Sequence, residues 1–139
     1  MPVAHANYAG LFGSNELEDG PGHGNGVFYR NNRTRVAEVR DGLSNTLLVG
    51  ERGRRDSRAT RAGSVTGADE VPSLVLGDTG TRLNSPEADE DDFSSRHAQG
   101  ANFLFADGSV RPIRDSIHPS VWNALATRAG GEPISAGGY

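Results

Sequence analysis

His97 and Asp107 are the two residues whose types could support acid–base chemistry, with one accepting and the other donating a proton. Nine residues separate them, and residues 101–106 read as a strand. Six residues in a strand span about 20 Å at ~3.3 Å per residue, so the two side chains would lie too far apart to share a proton. The sequence therefore predicts structural roles: Asp107 and Gly108 form a turn, and His97 ties the preceding loop to a neighbour.

Other catalytic patterns are missing from the sequence. There is no Cys and no G-x-S-x-G motif, and the adjacent pair Ser94 and Ser95 lies near His97 only through local sequence. The glycine-rich residues 20–26 have neither a preceding strand nor a following helix with Lys, so they do not read as a phosphate-binding loop. We predict no catalytic residue and no enzymatic activity.

Asp89, Asp91 and Asp92 are candidate calcium ligands, because carboxylate oxygens are the donors that Ca²⁺ prefers. They lie in residues 85–92, which carry five acids in eight positions but lack EF-hand spacing. The alternative is an exposed acidic loop that faces the arginine cluster of residues 54–61. The four histidines have no zinc-ligand spacing, so no other cofactor is predicted.

Asn32 begins the sequence Asn-Arg-Thr, which is an acceptor pattern for N-linked glycans. The pair Asn31 and Asn32 also predicts a turn, where a glycan would be sterically accessible. The alternative is chance occurrence of a short pattern. Asn32 is therefore a candidate glycosylation site.

The strongest local prediction is a β-hairpin over residues 101–114. Asp-Gly between two apolar runs predicts a two-residue type I′ turn. That register pairs Phe105 with Val110 and places Phe103, Phe105 and Val110 on one core face. Pro112 lacks an N–H group, so the second strand should be a sheet edge.

Two further elements are predicted. Residues 46–51 form an apolar run between turn residues, which indicates a strand buried on both faces. Residues 119–129 have apolar side chains at helical spacing, begin with Pro119 and end before Gly130, so they predict a helix. Residues 27–30 and 71–76 are weaker strand candidates, and residues 34–39 are either a strand or a single helical turn.

The composition fits one small, loop-rich α+β domain over residues 1–139. Apolar residues make up 35%, and there are 19 Gly and 7 Pro. We expect residues 1–26 to form an ordered N-terminal loop or arm and residues 52–100 an irregular insertion. Every base is an Arg, but the acids are in excess, with a net charge of −4, and no face is both basic and aromatic, which argues against nucleic-acid binding. No stretch is long and apolar enough to span a membrane, and no signal peptide is visible.

Two segments carry a resemblance to a known family. They are GNGVFYRNNRTRVAEVRDGLSNTLLVGER (24–52) and HAQGANFLFADGSVRPI (97–113), continued by SVWNALATRAGGEPI (120–134). The set resembles bacterial domain-of-unknown-function family 1559, whose members end in the prepilin-type processing-associated motif of a His, nine residues and Asp-Gly. The resemblance covers roughly residues 7–134 and is weakest in 54–92.

The resemblance implies a pilin-like or pseudopilin-like head built on a small antiparallel sheet. Family members typically carry a prepilin leader and a long apolar helix that packs on the sheet; both are absent from these 139 residues. We therefore expect apolar sheet surface that another chain, or residues 1–26, could cover. Because secreted pseudopilins use calcium in loops, the resemblance also favours the calcium candidates.

Two functions are expected from these observations. The first is a non-enzymatic structural subunit of an extracellular or cell-surface pilin-like filament, whose partners are other copies of itself or related subunits. The alternative is a secreted binding module for a glycan or a calcium-bridged surface.

Overall fold

The computed structural model of the chain describes residues 6–20, 22–53, 75–134 and 139. Within these ranges the chain forms five strands and one α-helix, with short 3₁₀ turns at Val36–Glu38 and Leu43–Asn45. The strands and helix are β1 (Tyr8–Gly13), β2 (Leu47–Glu51), β3 (Leu76–Asp78), β4 (Gly100–Phe105), β5 (Val110–Arg114) and α1 (Pro119–Ala126). The predicted α+β class, with a loop-rich sheet and a C-terminal helix, is confirmed.

The strands form one sheet in the order β3-β1-β2-β4-β5. The prediction of an antiparallel sheet is wrong at one end, because β1 and β3 are parallel, whereas the other neighbours are antiparallel. The cause lies in residues 1–26, which were expected to be a loop or arm. Their apolar stretch forms β1, an interior strand whose Leu11 and Phe12 are buried.

The core lies between one face of the sheet and α1. Alternate residues along each strand point to the same face, and those that point toward α1 join its apolar side chains in one cluster. The main members are Ala9, Leu11, Leu47, Phe103, Phe105, Ile113, Trp122 and Leu125. Gly50 fits this face because a Cβ there would lie 2.2 Å from the Phe103 ring. The sheet therefore has one buried face and one face directed away from the helix.

The β4–β5 hairpin exists, but its register differs from the prediction by one residue. Leu104 pairs with Val110 and Asn102 with Pro112. The Gly108 N–H donates to Phe105 O (2.9 Å), and only Gly108 has positive φ in the turn, at 85°. This is a three-residue loop in which a type I turn is followed by a left-handed glycine.

The altered register exchanges the faces of β5, because a one-residue slip moves every side chain to the opposite face. Val110 is therefore 65% exposed, whereas Ile113 is fully buried. The prediction that Val110 belongs to the core is wrong. The prediction that β5 is an edge strand is confirmed, since β5 lies at the end of the strand order and pairs only with β4 among the described strands.

Replacing Gly108 with Ala should destabilise the fold by about 1 kcal/mol, because a residue with a Cβ is disfavoured at positive φ. Gly22→Ala is the matched control. A Cβ at either position meets nothing within 4 Å, but Gly22 does not have positive φ. Urea denaturation followed by circular dichroism measures both variants. Equal stability of the two variants would contradict the turn assignment.

The helix begins at Pro119 as predicted but ends at Ala126 and not at residue 129. Thr127 adopts an extended conformation, its N–H donates to Ala124 O (3.4 Å), and its hydroxyl donates to Asp41 Oδ2 (2.9 Å). These bonds end the helix before Arg128. Ala129, expected on the apolar face, is exposed.

The weaker strand predictions had mixed outcomes. Residues 27–30 form no strand, whereas the helical-turn alternative for 34–39 is confirmed by Val36–Glu38. Of the candidate strand 71–76, residues 71–74 lie outside the described residues, and Leu76 begins β3.

Candidate functional site

Asp41, in the Asp-Gly-x-Ser-Asn-Thr segment, connects the start of β2 to the end of α1. Its carboxylate accepts hydrogen bonds from the Gly130 N–H (2.7 Å), the Gly131 N–H (2.8 Å) and the Thr127 hydroxyl. The next turn contacts the hairpin, because the Asp107 N–H donates to Leu43 O (3.0 Å). The two segments that carry the sequence motif therefore meet at this end of the sheet.

Glu51 joins the same two segments at the other end of β2. One carboxylate oxygen accepts the Asn102 N–H (2.7 Å), and the other lies 3.1 Å from His97 Nε2. Burial opposes ionisation of Glu51, but the hydrogen bonds from Asn102 and His97 outweigh it and lower the pKa of Glu51. His97 thus ties the loop before β4 to the neighbouring strand.

Asp107 has different partners. Its carboxylate accepts hydrogen bonds from the Ser109 N–H (2.9 Å) and the Ser109 hydroxyl (2.6 Å), and it lies 3.8 Å from Arg111. The bonds from Ser109 lower the pKa of Asp107. His97 and Asp107 precede and follow β4, and they have different partners, Glu51 for His97 and Ser109 for Asp107. The structure does not bring them together as an acid–base pair.

Residues 85–92 differ from the exposed loop that their charge predicts. Ala88, Asp91 and Asp92 are buried, the last two with only 6% and 4% exposure. The Asp89 N–H donates to Asp92 Oδ2 (2.8 Å), and the Asp91 N–H lies 3.4 Å from Asp89 Oδ1. The expectation of full exposure is wrong because this segment packs against the sheet.

The positive partner of this segment is Arg52, which sequence reasoning did not single out. Arg52 is 1% exposed, and its Nη2 donates to Leu76 O (2.6 Å) and to Asp91 O (2.9 Å). Its guanidinium carbon lies 5.7 Å from the centre of the Phe93 ring. The sequence feature that could have indicated a buried Arg52 is its position directly after the apolar run of residues 46–51. The predicted partner cluster at 54–61 lies outside the described residues.

Crowding and burial raise the pKa of several carboxyls near Arg52. Desolvation is the main cause, and it raises the pKa of Asp78 to about 6 and that of Asp91 to about 8. The pKa values of Asp92 and Glu16 are raised for the same reason, with neighbouring acids adding to the effect. Burial lowers the pKa of Arg52 to about 10, so it remains a cation at neutral pH.

The calcium prediction for Asp89, Asp91 and Asp92 gains no support from this packing. Among the described residues, no group of three or more His, Cys, Asp or Glu side chains is arranged to hold a metal ion. The calcium candidates remain a prediction from the sequence.

Asn32 lies in the predicted turn region, but its side-chain nitrogen is engaged. Nδ2 donates to Val27 O (2.5 Å) and to Thr34 Oγ1 (2.7 Å). A glycan on Nδ2 would have to replace at least one of these bonds. Glycosylation at Asn32 remains a prediction.

The sheet face opposite α1 carries a continuous apolar row, which we call the open-face row. Register neighbours across all five strands form it: Leu76, Gly10, Val49, Leu104 and Val110. Phe28 packs over Gly10, since a Cβ there would lie 3.0 Å from the Phe28 ring and 3.2 Å from Leu76 Cδ2. Tyr8 and Phe28 add exposed aromatic surface beside the row.

The two edges of the sheet are poorly suited to adding another strand. On β5, Asn102 and Pro112 form a non-hydrogen-bonded pair, so the missing N–H of Pro112 is one that would have faced outward. On β3, the Asp78 N–H donates to Asp91 O (3.2 Å), and Leu76 O accepts from Arg52. The open-face row is therefore the more suitable surface for contact with another chain.

The model of one family, described as "Protein of unknown function (DUF1559)", matches residues 1–120 of the chain. The chain belongs to this family. No curated protein and no solved structure matches it.

In this DUF1559 chain, the match includes both segments that meet through Asp107 and Leu43 and through His97 and Glu51. These contacts hold the two segments together, because each strand end is fixed by a group from the other segment. No α-helix in the described part of the chain has the length and apolar character needed to cross a membrane.

Proposed function

We propose that this DUF1559 chain is a non-enzymatic structural subunit of an extracellular or cell-surface pilin-like assembly. It acts by packing the open-face row against other copies of itself or related subunits. The observation that carries the proposal is the unbroken apolar row across all five strands of the face opposite α1. Gly10, Val49, Leu76 and Leu104 are half-buried and Val110 is exposed, so the row keeps apolar surface that a partner could cover.

The structural role of the motif residues supports the same proposal. His97 and Asp107 contact Glu51 and Ser109, respectively, and both contacts stabilise strand ends. A structural subunit needs a rigid sheet more than a reactive centre. The pilin-like assignment rests on the resemblance, whose motif is carried here by His97, Asp107 and Gly108.

The proposal is tested by sedimentation velocity over a range of protein concentrations. We expect the wild-type chain to self-associate and Val110→Glu to weaken association at least about tenfold, because the new carboxylate would have to be desolvated in the contact. Val110 is already exposed, so folding should be unaffected.

Val36→Glu is the matched control, since Val36 is 71% exposed but lies in a 3₁₀ turn outside the sheet. It should associate like the wild type. A monodisperse wild-type monomer at high concentration would contradict the proposal, and so would equal effects of the two substitutions.

The alternative of a secreted binding module depends on the calcium and glycan predictions. Calorimetric titration with calcium and binding to a glycan array distinguish it from the structural role. A calcium-dependent glycan contact in a chain that stays monomeric would favour the binding module.

A further inference from the structure

Asn25 and Gly26 form the only Asn-Gly pair in the chain. In such a pair the backbone nitrogen of the following residue can attack the side-chain carbonyl carbon of Asn. Glycine obstructs this attack least, because it has no side chain and the widest choice of backbone conformations. The reaction replaces the side-chain amide by a carboxyl. Asn25 is therefore the asparagine whose local sequence most favours deamidation.

In the folded chain, hydrogen bonds hold both reacting groups of this pair. The Gly26 N–H, which would supply the attacking nitrogen, donates to Phe12 O (2.8 Å). The Asn25 side chain, which would be attacked, accepts from the Ser14 N–H (2.9 Å) and donates to Ser14 Oγ (2.9 Å). Because the attack requires a free Gly26 nitrogen and a movable Asn25 side chain, the closed fold keeps the pair unreactive.

Arg128 also fixes this loop. Its N–H donates to Asn25 O (3.1 Å), and its Nη1 donates to Gly24 O (2.9 Å) and to Gly26 O (2.5 Å). Its guanidinium carbon lies 5.1 Å from the centre of the Tyr29 ring. The three consecutive carbonyls of residues 24–26 are thus bonded by one residue from the segment after α1, which restricts opening of the loop.

We propose that Asn25 is a latent deamidation site, which the fold keeps unreactive until residues 24–26 open locally. After opening, the Gly26 nitrogen attacks Asn25 Cγ and a new C–N bond closes a succinimide ring. The proton from Gly26 and the side-chain amide leave together as ammonia. Water then opens the ring at one of its two carbonyls, which leaves aspartate or isoaspartate at position 25.

The modification would prevent the loop from closing again in its original form. Both products lack the Nδ2 group that donates to Ser14 Oγ, and isoaspartate also adds a methylene carbon to the backbone. The loop has no room for this, since a Cβ on Gly24 or Gly26 would lie 2.7 or 2.6 Å from Phe12 O. Phe12, now 1% exposed, would therefore lose part of its cover. The change is one-way and does not depend on the proposed assembly.

Peptide mapping by mass spectrometry tests the site on the intact chain, incubated at mildly alkaline pH with and without urea. In urea, Asn25 should deamidate faster than every other asparagine. In the folded chain, Asn25 should deamidate at least about tenfold more slowly than in urea, because only the locally open fraction reacts. Equal rates with and without urea would overturn the inference, and so would faster modification of another asparagine in urea.

Arg128→Ala tests the gating by local opening. It should raise both the deamidation rate of Asn25 and the hydrogen-exchange rate of the Gly26 amide in the folded chain, and leave the deamidation rate in urea unchanged. Arg114→Ala is the matched control, because Arg114 is exposed, and it should change neither rate. Faster exchange at Gly26 without faster deamidation at Asn25 would overturn the inference.

If Arg128→Ala does not fold, Ser14→Ala provides a milder opening. It removes only the hydroxyl that accepts from Asn25 Nδ2, so it should accelerate deamidation in the folded chain to a smaller extent. An unchanged rate in Ser14→Ala would contradict the role assigned to this bond. None of these measurements depends on self-association, so failure of this inference and failure of the proposed function can be distinguished.

Discussion

Trp122→Ala is expected to destabilise the chain by about 3–5 kcal/mol, which is the usual cost of removing a buried tryptophan. Trp122 is the chain's only tryptophan, and it is buried between α1 and the sheet. Its ring makes edge-on contacts with Phe103 (5.3 Å between ring centres) and Phe93 (6.3 Å), which also contact each other. Its Nε1 donates to Thr81 O (3.0 Å). Replacing Trp122 with Ala would leave a cavity and would remove the donor that bonds Thr81 O.

Urea denaturation followed by circular dichroism is the appropriate measurement, because the variant has no tryptophan fluorescence. Tyr8→Ala is the control: Tyr8 is 57% exposed and its loss should cost less than about 1 kcal/mol. If Trp122→Ala does not fold, Trp122→Phe keeps an aromatic ring and should show a smaller loss. A Trp122→Ala chain as stable as the Tyr8→Ala chain would contradict the described core.

Arg52→Ala is expected to destabilise the chain by about 3–5 kcal/mol, the range for removing one partner from a buried charged cluster. The substitution leaves the carbonyls of Leu76 and Asp91 without their guanidinium donor and removes the cation that faces the buried carboxyls. Lysine should restore only part of the loss, because an ammonium could bond the same two carbonyls but lacks the planar guanidinium that lies near the Phe93 ring.

Arg33→Ala is the matched control, because Arg33 is exposed. It should change the free energy of unfolding by less than about 0.5 kcal/mol. The comparison is made by urea denaturation near neutral pH. Equal stabilities of the two variants would show that Arg52 is not the centre of a buried cluster.

The hairpin shows how far local sequence determines the fold. The dipeptide Asp107-Gly108 correctly predicted a turn between two strands, because glycine readily adopts the positive φ that such a turn requires. It could not fix the register, since Gly108 at positive φ suits a two-residue turn and a three-residue turn equally well. That one-residue difference moved Val110 from the predicted core to the open-face row.

The wrong predictions that concern contacts between residues far apart in sequence have a different cause. The acidic residues 85–92 read as exposed because an isolated charged run is best solvated, and their burial depends on Arg52, far away in sequence. Likewise, the pairing of β1 with β3 joins residues more than sixty positions apart, which no local pattern specifies. Strand β2 was predictable from its apolar run, but the expected burial on both faces is wrong, because Leu48 and Val49 are only half-buried and Val49 lies on the face opposite α1.

The sheet face opposite α1 has an apolar row across all five strands, while the two edges of the sheet are either covered or interrupted. β5 has Pro112 in the middle of its five residues, and on β3 the Asp78 N–H already donates to Asp91 O. We therefore propose that the chain associates through this face and not through the sheet edges.

Site-specific cysteine labelling tests this claim most directly, because the chain contains no native Cys. Val110→Cys places a thiol on the open-face row, and Val36→Cys places one at an equally exposed site outside the sheet. As protein concentration rises, maleimide should label Val110→Cys progressively more slowly, while the labelling rate of Val36→Cys stays constant. Labelling of Val110→Cys at the same rate in the dilute and the concentrated chain would contradict the account.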